Sequence, residues 1–550
     1  MAPGHGPGAP GQWTRRETLR LLAVSLAALA LFTYGLGAGT LWDQDEPRYF
    51  QIARDLEWGD PFTLRSDGQP WFVHPPLFFW LQAATARLIG FTEFAARLWS
   101  AISGAGIAAA TFLLARLFYG TRTATLAALV TATMLHVLAQ SRLAVFDPTL
   151  VAFMLLAFYM ALVAHLDVRP RAYLWAAAWA GLATATKGPI GLILPAMVLA
   201  AIWAVRRDWR AWRRIPWISV PVFVAVGLPW YIVMTWRHGE PFLRTAVGYY
   251  LFNRFFGVVE NQPGPWWYYV PVLVLGALPW TAFAPSALAR LWRHRDTLAS
   301  QAILLWCGVT VAFYSVAGTK LPNYVLPVYP LLGIAIARLV SEAVEAPPAT
   351  GQALLRVAAV LLPIPSALFV AGMVIYGRIK FPAESVALIV PLATVGALLG
   401  GGPLVAWGFL LARRAAAAVV TLLAVPVLVV PVLVHHTLPA IESRRPIPRL
   451  ARLVQAQARP DDGLVAVRMR LASSLRFYAA RPVHWADTPR ALAEALCARQ
   501  RVFVVVPESE EPWVRPVLPP GAGLVADDTG LRLYLKDAPA SCARAPGPGR

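Results

Sequence analysis

Long runs without a single charged side chain recur along most of this chain, and each is long enough to cross a bilayer. Leu21 to Trp42, Ile215 to Trp236 and Thr297 to Gly318 are the plainest. About 20 apolar residues span roughly 30 Å of hydrocarbon as a helix, and lipid tolerates only elements that satisfy their own backbone hydrogen bonds. Hydrophobic residues make up 58% of the 550 residues, charged ones 14%, and the mean hydropathy is +0.55, which excludes an ordinary soluble domain. The chain is therefore expected to be mostly α, a polytopic transmembrane bundle.

The runs predict about thirteen spans, near 21–42, 98–115, 123–141, 148–166, 172–186, 188–205, 215–236, 266–289, 297–318, 321–338, 354–377, 384–412 and 415–437. The first is too long, and too clearly followed by others, for a cleaved signal peptide. A net charge of +20 raises nucleic acid as a partner, but the arginines punctuate the spans instead of gathering on one soluble face. Arg15 and Arg16, Arg122, Arg169 and Arg171, Arg206 to Arg214, Arg290 to Arg295, and Arg413 with Arg414 fall in every second loop. The positive-inside rule makes those loops cytoplasmic and predicts a multi-pass protein of a bacterial inner membrane.

Residues 1–20 then form a cytoplasmic segment and 21–440 the membrane domain, with outer loops at 43–97 and 237–265. From 441 to 550 charges return, and strand-like runs (Leu464 to Val467, Val502 to Val506, Leu531 to Leu535) flank a helical stretch around Ala491 to Ala498. A small α/β domain outside the membrane is expected there. Cys497 and Cys542 could pair in an oxidising compartment, which sequence alone does not decide.

The first outer loop opens with Trp42-Asp43-Gln44-Asp45-Glu46-Pro47-Arg48-Tyr49, the densest polar cluster of the membrane part. Crowded carboxylates at a membrane surface raise one another's pKa unless a cation sits among them. Asp45 or Glu46 could serve as a general base, or the segment could simply start a helix. Asp147, before Pro148, is a second acid at the outer end of a span, with Arg142 five positions earlier. Lysine occurs only at 187, 320, 380 and 536, and three of the four lie at outer ends of spans. A compact ammonium binds phosphate as a point charge, although snorkelling to the interface explains a terminal lysine as well. His74, fixed by Pro75-Pro76, could touch a metal or a phosphate. Arg254 lies in an aromatic second outer stretch that fits either an interfacial helix or a flap over a lipid-linked phosphate.

These patches resemble the GT-C family of polyprenyl-phosphate-sugar-dependent glycosyltransferases, in the branch that holds aminoarabinose transferases of lipid A and prokaryotic relatives of protein O-mannosyltransferases. The resemblance rests on Asp45-Glu46-Pro47-Arg48-Tyr49, the Pro75-Pro76 turn, Asp147 before Pro148, Thr186-Lys187-Gly188-Pro189, the 257–267 segment, and Lys320-Leu321-Pro322-Asn323-Tyr324. It implies an inverting transferase that takes a sugar from an undecaprenyl-type phosphate donor to a lipid, glycan or protein acceptor. Asp45 is then the base, with Glu46 and Asp147 in support. Lys187, Arg254, Lys320 and His74 contact the donor phosphate, and Arg48, Tyr49 and Tyr324 contact substrate. A divalent metal ion is the one cofactor in question, with Glu46 and His74 as candidate ligands. Aminoarabinose transferases carry an acid and a lysine where this chain has Val73 and His74, a departure closer to the mannosyltransferase-like branch. A polytopic transporter for a lipid-linked or small polar substrate is the rival class, but transporters usually show repeated halves and broken helices near the midplane, whereas here the polar residues gather at one surface and a soluble domain follows. A structural membrane protein is the third, and it would have no use for the carboxylate cluster.

Overall fold

The computed structural model describes residues 13–537 except 44, 168, 170, 365–366, 369–370, 373–374, 376–384 and 470–471. Lys380 and Cys542 lie outside the described residues, and so does the pairing considered for Cys542. Two compact units emerge: one of residues 1–37, 56–64 and 70–437, the other of residues 38–55, 65–69 and 438–550.

The first unit is helical. Among the described residues five helices are long and apolar enough to cross a membrane, or up to seven if each of two bent pairs counts as one span. Glu93–Tyr119, Asp147–Leu166 and Leu298–Val316 are three of them. Their starts are set by local chemistry. The Thr92 hydroxyl accepts from the Ala95 amide and the Thr297 hydroxyl from the Ser300 amide, each at 3.2 Å, which satisfies amide groups that no helical carbonyl can reach. Helix Arg15–Thr33 opens with a capping box between Thr14 and Glu17. Glu17 then accepts from Arg116 at 2.9 Å and from Thr121 at 2.7 Å, which ties the first helix to the 93–119 and 121–132 pair.

Where the sequence predicts single spans at 215–236 and 266–289, the helices are broken. Ser219–Gly227 and Pro229–His238 meet at 55°, and Tyr269–Gly276 meets Thr281–Arg293 at 113°. Each break carries a proline, Pro229 or Pro279, whose missing N–H interrupts the helical ladder. The 123–141 run likewise divides into Thr121–Ala132 and Leu135–Gln140. Inside 43–97, the stretch taken as a loop, lies an apolar helix, Leu77–Ile89. At 13 residues it is about 20 Å long, shorter than the roughly 30 Å of hydrocarbon in a bilayer. Small residues let helices approach: a Cβ on Gly181 would come within 2.8 Å of the Val226 side chain on the crossing helix.

The second unit is α/β. Its five-stranded sheet runs in the order His484–Ala486, Gly463–Val467, Arg501–Pro507, Leu531–Asp537, Gly523–Asp528. The first three strands are parallel and the last two pair antiparallel, with Val465 opposite Val504 and Val504 opposite Tyr534. Val465, Val467, Val504 and Val506 pack with Leu492 and Leu496 of helix Pro489–Cys497 in a buried core. Segment 38–55 belongs to this unit through specific bonds. The Leu41 amide donates to the Tyr478 hydroxyl at 2.8 Å, the Ser474 amide to Asp43 at 2.7 Å, and Arg476 to Asp55 at 2.8 Å.

Candidate functional site

Asp147 is the first residue of helix Asp147–Asp167, and Lys187 is the last residue of the helix that follows, Arg171–Lys187. Consecutive packed helices that run in opposite directions bring the start of one beside the end of the next. The chain order thereby delivers an acid and a base to the same corner. Lys187 Nζ donates to Asp147 Oδ1 at 2.5 Å, with only 15% and 6% of the two side chains exposed. Asn323 Nδ2 donates to the other carboxylate oxygen at 2.8 Å. Both Asp147 oxygens are therefore occupied by donors, as a buried carboxylate requires.

Aromatic rings wall this pair. The ammonium of Lys187 sits 5.2 Å from the Phe146 ring centre and 5.1 Å from that of Tyr324, within cation–π range. The Tyr324 hydroxyl accepts from Arg254 Nε at 2.7 Å. Arg254 also donates to Glu260 at 3.1 Å and to Gln262 at 3.2 Å. Burial pulls the Arg254 pKa down, but Tyr324 and Glu260 outweigh it and hold the guanidinium above its ordinary value. Two basic side chains thus flank one tyrosine. His74 joins from the 70s turn, its ring 4.5 Å from Phe146 and 6.5 Å from Tyr250.

The backbone around these groups is clamped. Ser100 Oγ donates to the Val145 carbonyl at 2.7 Å and accepts from the Val145 amide at 3.2 Å, while Ser103 and Thr149 share a hydrogen bond of 2.7 Å. Asp147 is held from both sides. The stretch that carries Arg254 is pinned through Thr319, whose hydroxyl donates to the Gly257 carbonyl and accepts from the Val259 amide, each at 3.0 Å. Gly318 is needed there, since a Cβ on it would lie 2.4 Å from the Gly257 carbonyl oxygen.

Of the residues expected in the site, Asp147, Lys187, Arg254, Tyr324 and His74 come together in the membrane unit. Lys320 lies in the same unit with another task. Its Nζ donates to the carbonyls of Ser315 and Ala317 at 2.9 and 2.6 Å, so it caps helix Leu298–Val316, whereas direct phosphate contact was expected. Arg142, noted for its spacing from Asp147, donates to the Leu31 and Phe32 carbonyls at 3.1 and 2.9 Å and caps the first helix instead. Asp45, Glu46, Arg48 and Tyr49 belong to the second unit. Asp45 is exposed at the start of helix Asp45–Arg54, as is Arg48 further along, whereas Glu46 and Tyr49 are buried. Glu46 accepts from the Trp42 amide at 2.8 Å.

Asn323, Ser100 and Ser103 were missed. Asn323 sat inside a quoted motif, and an amide beside Tyr324 in an apolar context was the signal for it. Serines in a membrane helix give no such signal. Among the described residues no three His, Cys, Asp or Glu side chains are grouped to hold a metal ion.

Comparison with known proteins places this geometry among relatives. The profile of the Dolichyl-phosphate-mannose-protein mannosyltransferase family matches residues 73–233. An undecaprenyl phosphate-alpha-4-amino-4-deoxy-L-arabinose arabinosyl transferase of Pseudomonas paraeruginosa is 29% identical over 416 residues, covering 72% of this chain and 73% of that protein. Its Pseudomonas aeruginosa counterpart is 31% identical over 324 residues, 57% of this chain and 58% of that protein. In fold, the chain is similar to ArnT from Cupriavidus metallidurans, solved bound to undecaprenyl phosphate, with a TM-score of 0.78 at 23% identity over 96% of this chain and 100% of that one. The archaeal oligosaccharyltransferase AglB from Archaeoglobus fulgidus is a more distant match, with a TM-score of 0.52 at 12% identity over 90% of this chain and 70% of that one.

Proposed function

We propose that the chain is a GT-C glycosyltransferase related to the aminoarabinose transferases and the protein O-mannosyltransferase relatives, and that it moves a sugar from undecaprenyl phosphate to an acceptor at the outer face of a bacterial inner membrane. One observation carries this reading: Lys187 and Arg254 are held on either side of Tyr324 at the end of the membrane helices. In the donor, a phosphodiester joins the sugar to the polyprenol and bears one negative charge. As the bond from the anomeric carbon to phosphate oxygen breaks, charge grows on the leaving phosphate. Fixed cations in a low-dielectric setting stabilise that growth because they need no reorganisation.

Asp147 and Asn323 orient Lys187 for this task. The Glu260 partner of Arg254 is more exposed than the Asp147 partner of Lys187, 38% against 6%, so an arriving phosphate exchanges with Glu260 and leaves the Asp147 pair intact. The acceptor oxygen attacks the anomeric carbon from the opposite face, with inversion, and its proton passes to a general base. Asp45, exposed and in the motif that carries the family resemblance, is our candidate for that base. Val73-His74 before the proline pair supports a neutral sugar over an aminosugar.

Undecaprenyl phosphate release from synthetic lipid-linked sugars by the purified protein tests the proposal. A neutral hexose donor is expected to turn over, and Asp45→Asn to lower kcat by about 10²- to 10⁴-fold with protein abundance unchanged. Full turnover by Asp45→Asn removes Asp45 as base, and no release from any lipid-phosphate sugar removes the activity itself.

A further inference from the structure

Away from the Asp147 corner, the membrane unit contains a cavity of about 870 Å³ that the proposed transfer reaction does not use. Helices Val328–Glu345, Pro348–Leu361, Ser385–Leu411 and Ala415–Val432 contribute to its wall. Helix Val328–Glu345 fixes its level. That helix starts just beyond Asn323, which bonds Asp147, and the cavity touches its other end at Ala343 and Val344, about 24 Å from its start at about 1.5 Å per residue. The cavity therefore opens at the opposite membrane face from Lys187, the face the arginine pattern makes cytoplasmic.

Its lining is apolar apart from three guanidinium groups, those of Arg356, Arg413 and Arg414. All three residues are exposed, and none is ion-paired among the described residues. Arg356 lies about 12 Å into its helix from Pro348, a depth at which a membrane arginine needs an anionic partner or a path to water. Arg413 sits at φ 61°, a left-handed position that ends helix Ser385–Leu411 and that glycine fills at lower cost. A charge kept at the expense of the local backbone preference points to a use for the charge. Ala415, Ala416 and Ala417 line the neighbouring wall and leave room beside the arginines.

We propose that this groove is a binding site for an anionic phospholipid of the cytoplasmic leaflet. The headgroup phosphate meets Arg413, Arg414 and Arg356, and the acyl chains run along Leu355, Val360 and Leu411 toward the membrane centre. Charge complementarity selects an anionic over a zwitterionic lipid, because three guanidinium groups with no carboxylate among the lining residues repel a choline headgroup. A volume within the range of about 300 to 1,000 Å³ typical of small-molecule sites suits a headgroup with the upper part of its chains.

Native mass spectrometry of the full-length protein, released from phosphatidylcholine nanodiscs containing phosphatidylglycerol, tests this. Phosphatidylglycerol adducts are expected to persist on the wild type and to fall tenfold or more in R356Q/R413Q/R414Q, while R356K/R413K/R414K keeps most of them. Ala416→Trp, which fills the groove and leaves every arginine in place, is expected to lose them too, with both variants still monodisperse by size exclusion. Equal retention of phosphatidylcholine overturns the proposal, as does undiminished phosphatidylglycerol binding by either the glutamine triple variant or Ala416→Trp.

Discussion

Lys187 and Lys320 stand at the ends of two membrane helices in the same unit, and the sequence treats them alike. Their surroundings differ. Lys187 faces a carboxylate and two aromatic rings, while Lys320 faces the end carbonyls of the helix that precedes it. An ammonium on carbonyl oxygens completes a helix end that lipid would leave unsatisfied. An ammonium held by Asp147, itself held by Asn323, is a charge placed where a ligand can use it. Lysine at a span end is thus a signal of polarity at the interface, and only its partner tells whether it serves the fold or the chemistry.

Removing Lys187 is the strongest way to break this contrast. Lys187→Ala is expected to lower sugar transfer by about 10²- to 10³-fold, the loss typical of one preorganised charge-stabilising group. Undecaprenyl phosphate release under saturating donor measures it, and a loss below tenfold would equate the two lysines. Lys320→Ala is expected to act on stability instead. The two charge-assisted bonds it removes are worth about 1.5–3 kcal/mol each at most, read as a lower melting temperature in detergent, while the KM for the lipid donor stays within about twofold. A raised donor KM with unchanged melting would return Lys320 to the phosphate site.

The smallest effect lies in the second unit. Burial pushes the Asp55 carboxyl up, against the opposing pull of Arg476. A raised folded-state pKa means that the Asp55 contribution is complete below the ordinary value of 3.8 and is lost as pH rises through the raised value. Asp55→Asn is expected to flatten that part of the stability profile of the full chain, followed by tryptophan fluorescence in denaturant between pH 3 and pH 6, roughly the range around carboxylate titration. An unchanged slope would show that Arg476 dominates.

The architecture was legible because its signals are long. Uncharged runs of about 20 residues and arginines in alternate loops need no knowledge of contacts. The strands at 463–467, 501–507 and 531–537 were equally plain, since each carries a short run rich in Val, Leu, Phe or Tyr. What failed was spatial grouping. The acids from Asp43 to Asp67 fall in one expected outer loop, yet Asp43 is held by Ser474, Asp55 and Asp67 by Arg476, and Asp60 by Arg237. Proximity in sequence says little once a segment has two units to choose from. Helix breaks at Pro229 and Pro279 were visible as prolines, but proline also occurs within continuous helices here, at Pro195 and Pro426. The Asp147–Lys187 pair could be anticipated from helix order alone; Asn323 could not, because its partner lies 176 positions away.

Direct titration of undecaprenyl phosphate into the purified protein tests the central claim most closely, with wild type, Lys187→Ala and Lys320→Ala side by side. The account predicts that Lys187→Ala weakens binding tenfold or more and that Lys320→Ala binds like the wild type. Equal affinity of the wild type and Lys187→Ala, with the loss falling on Lys320→Ala, would contradict it.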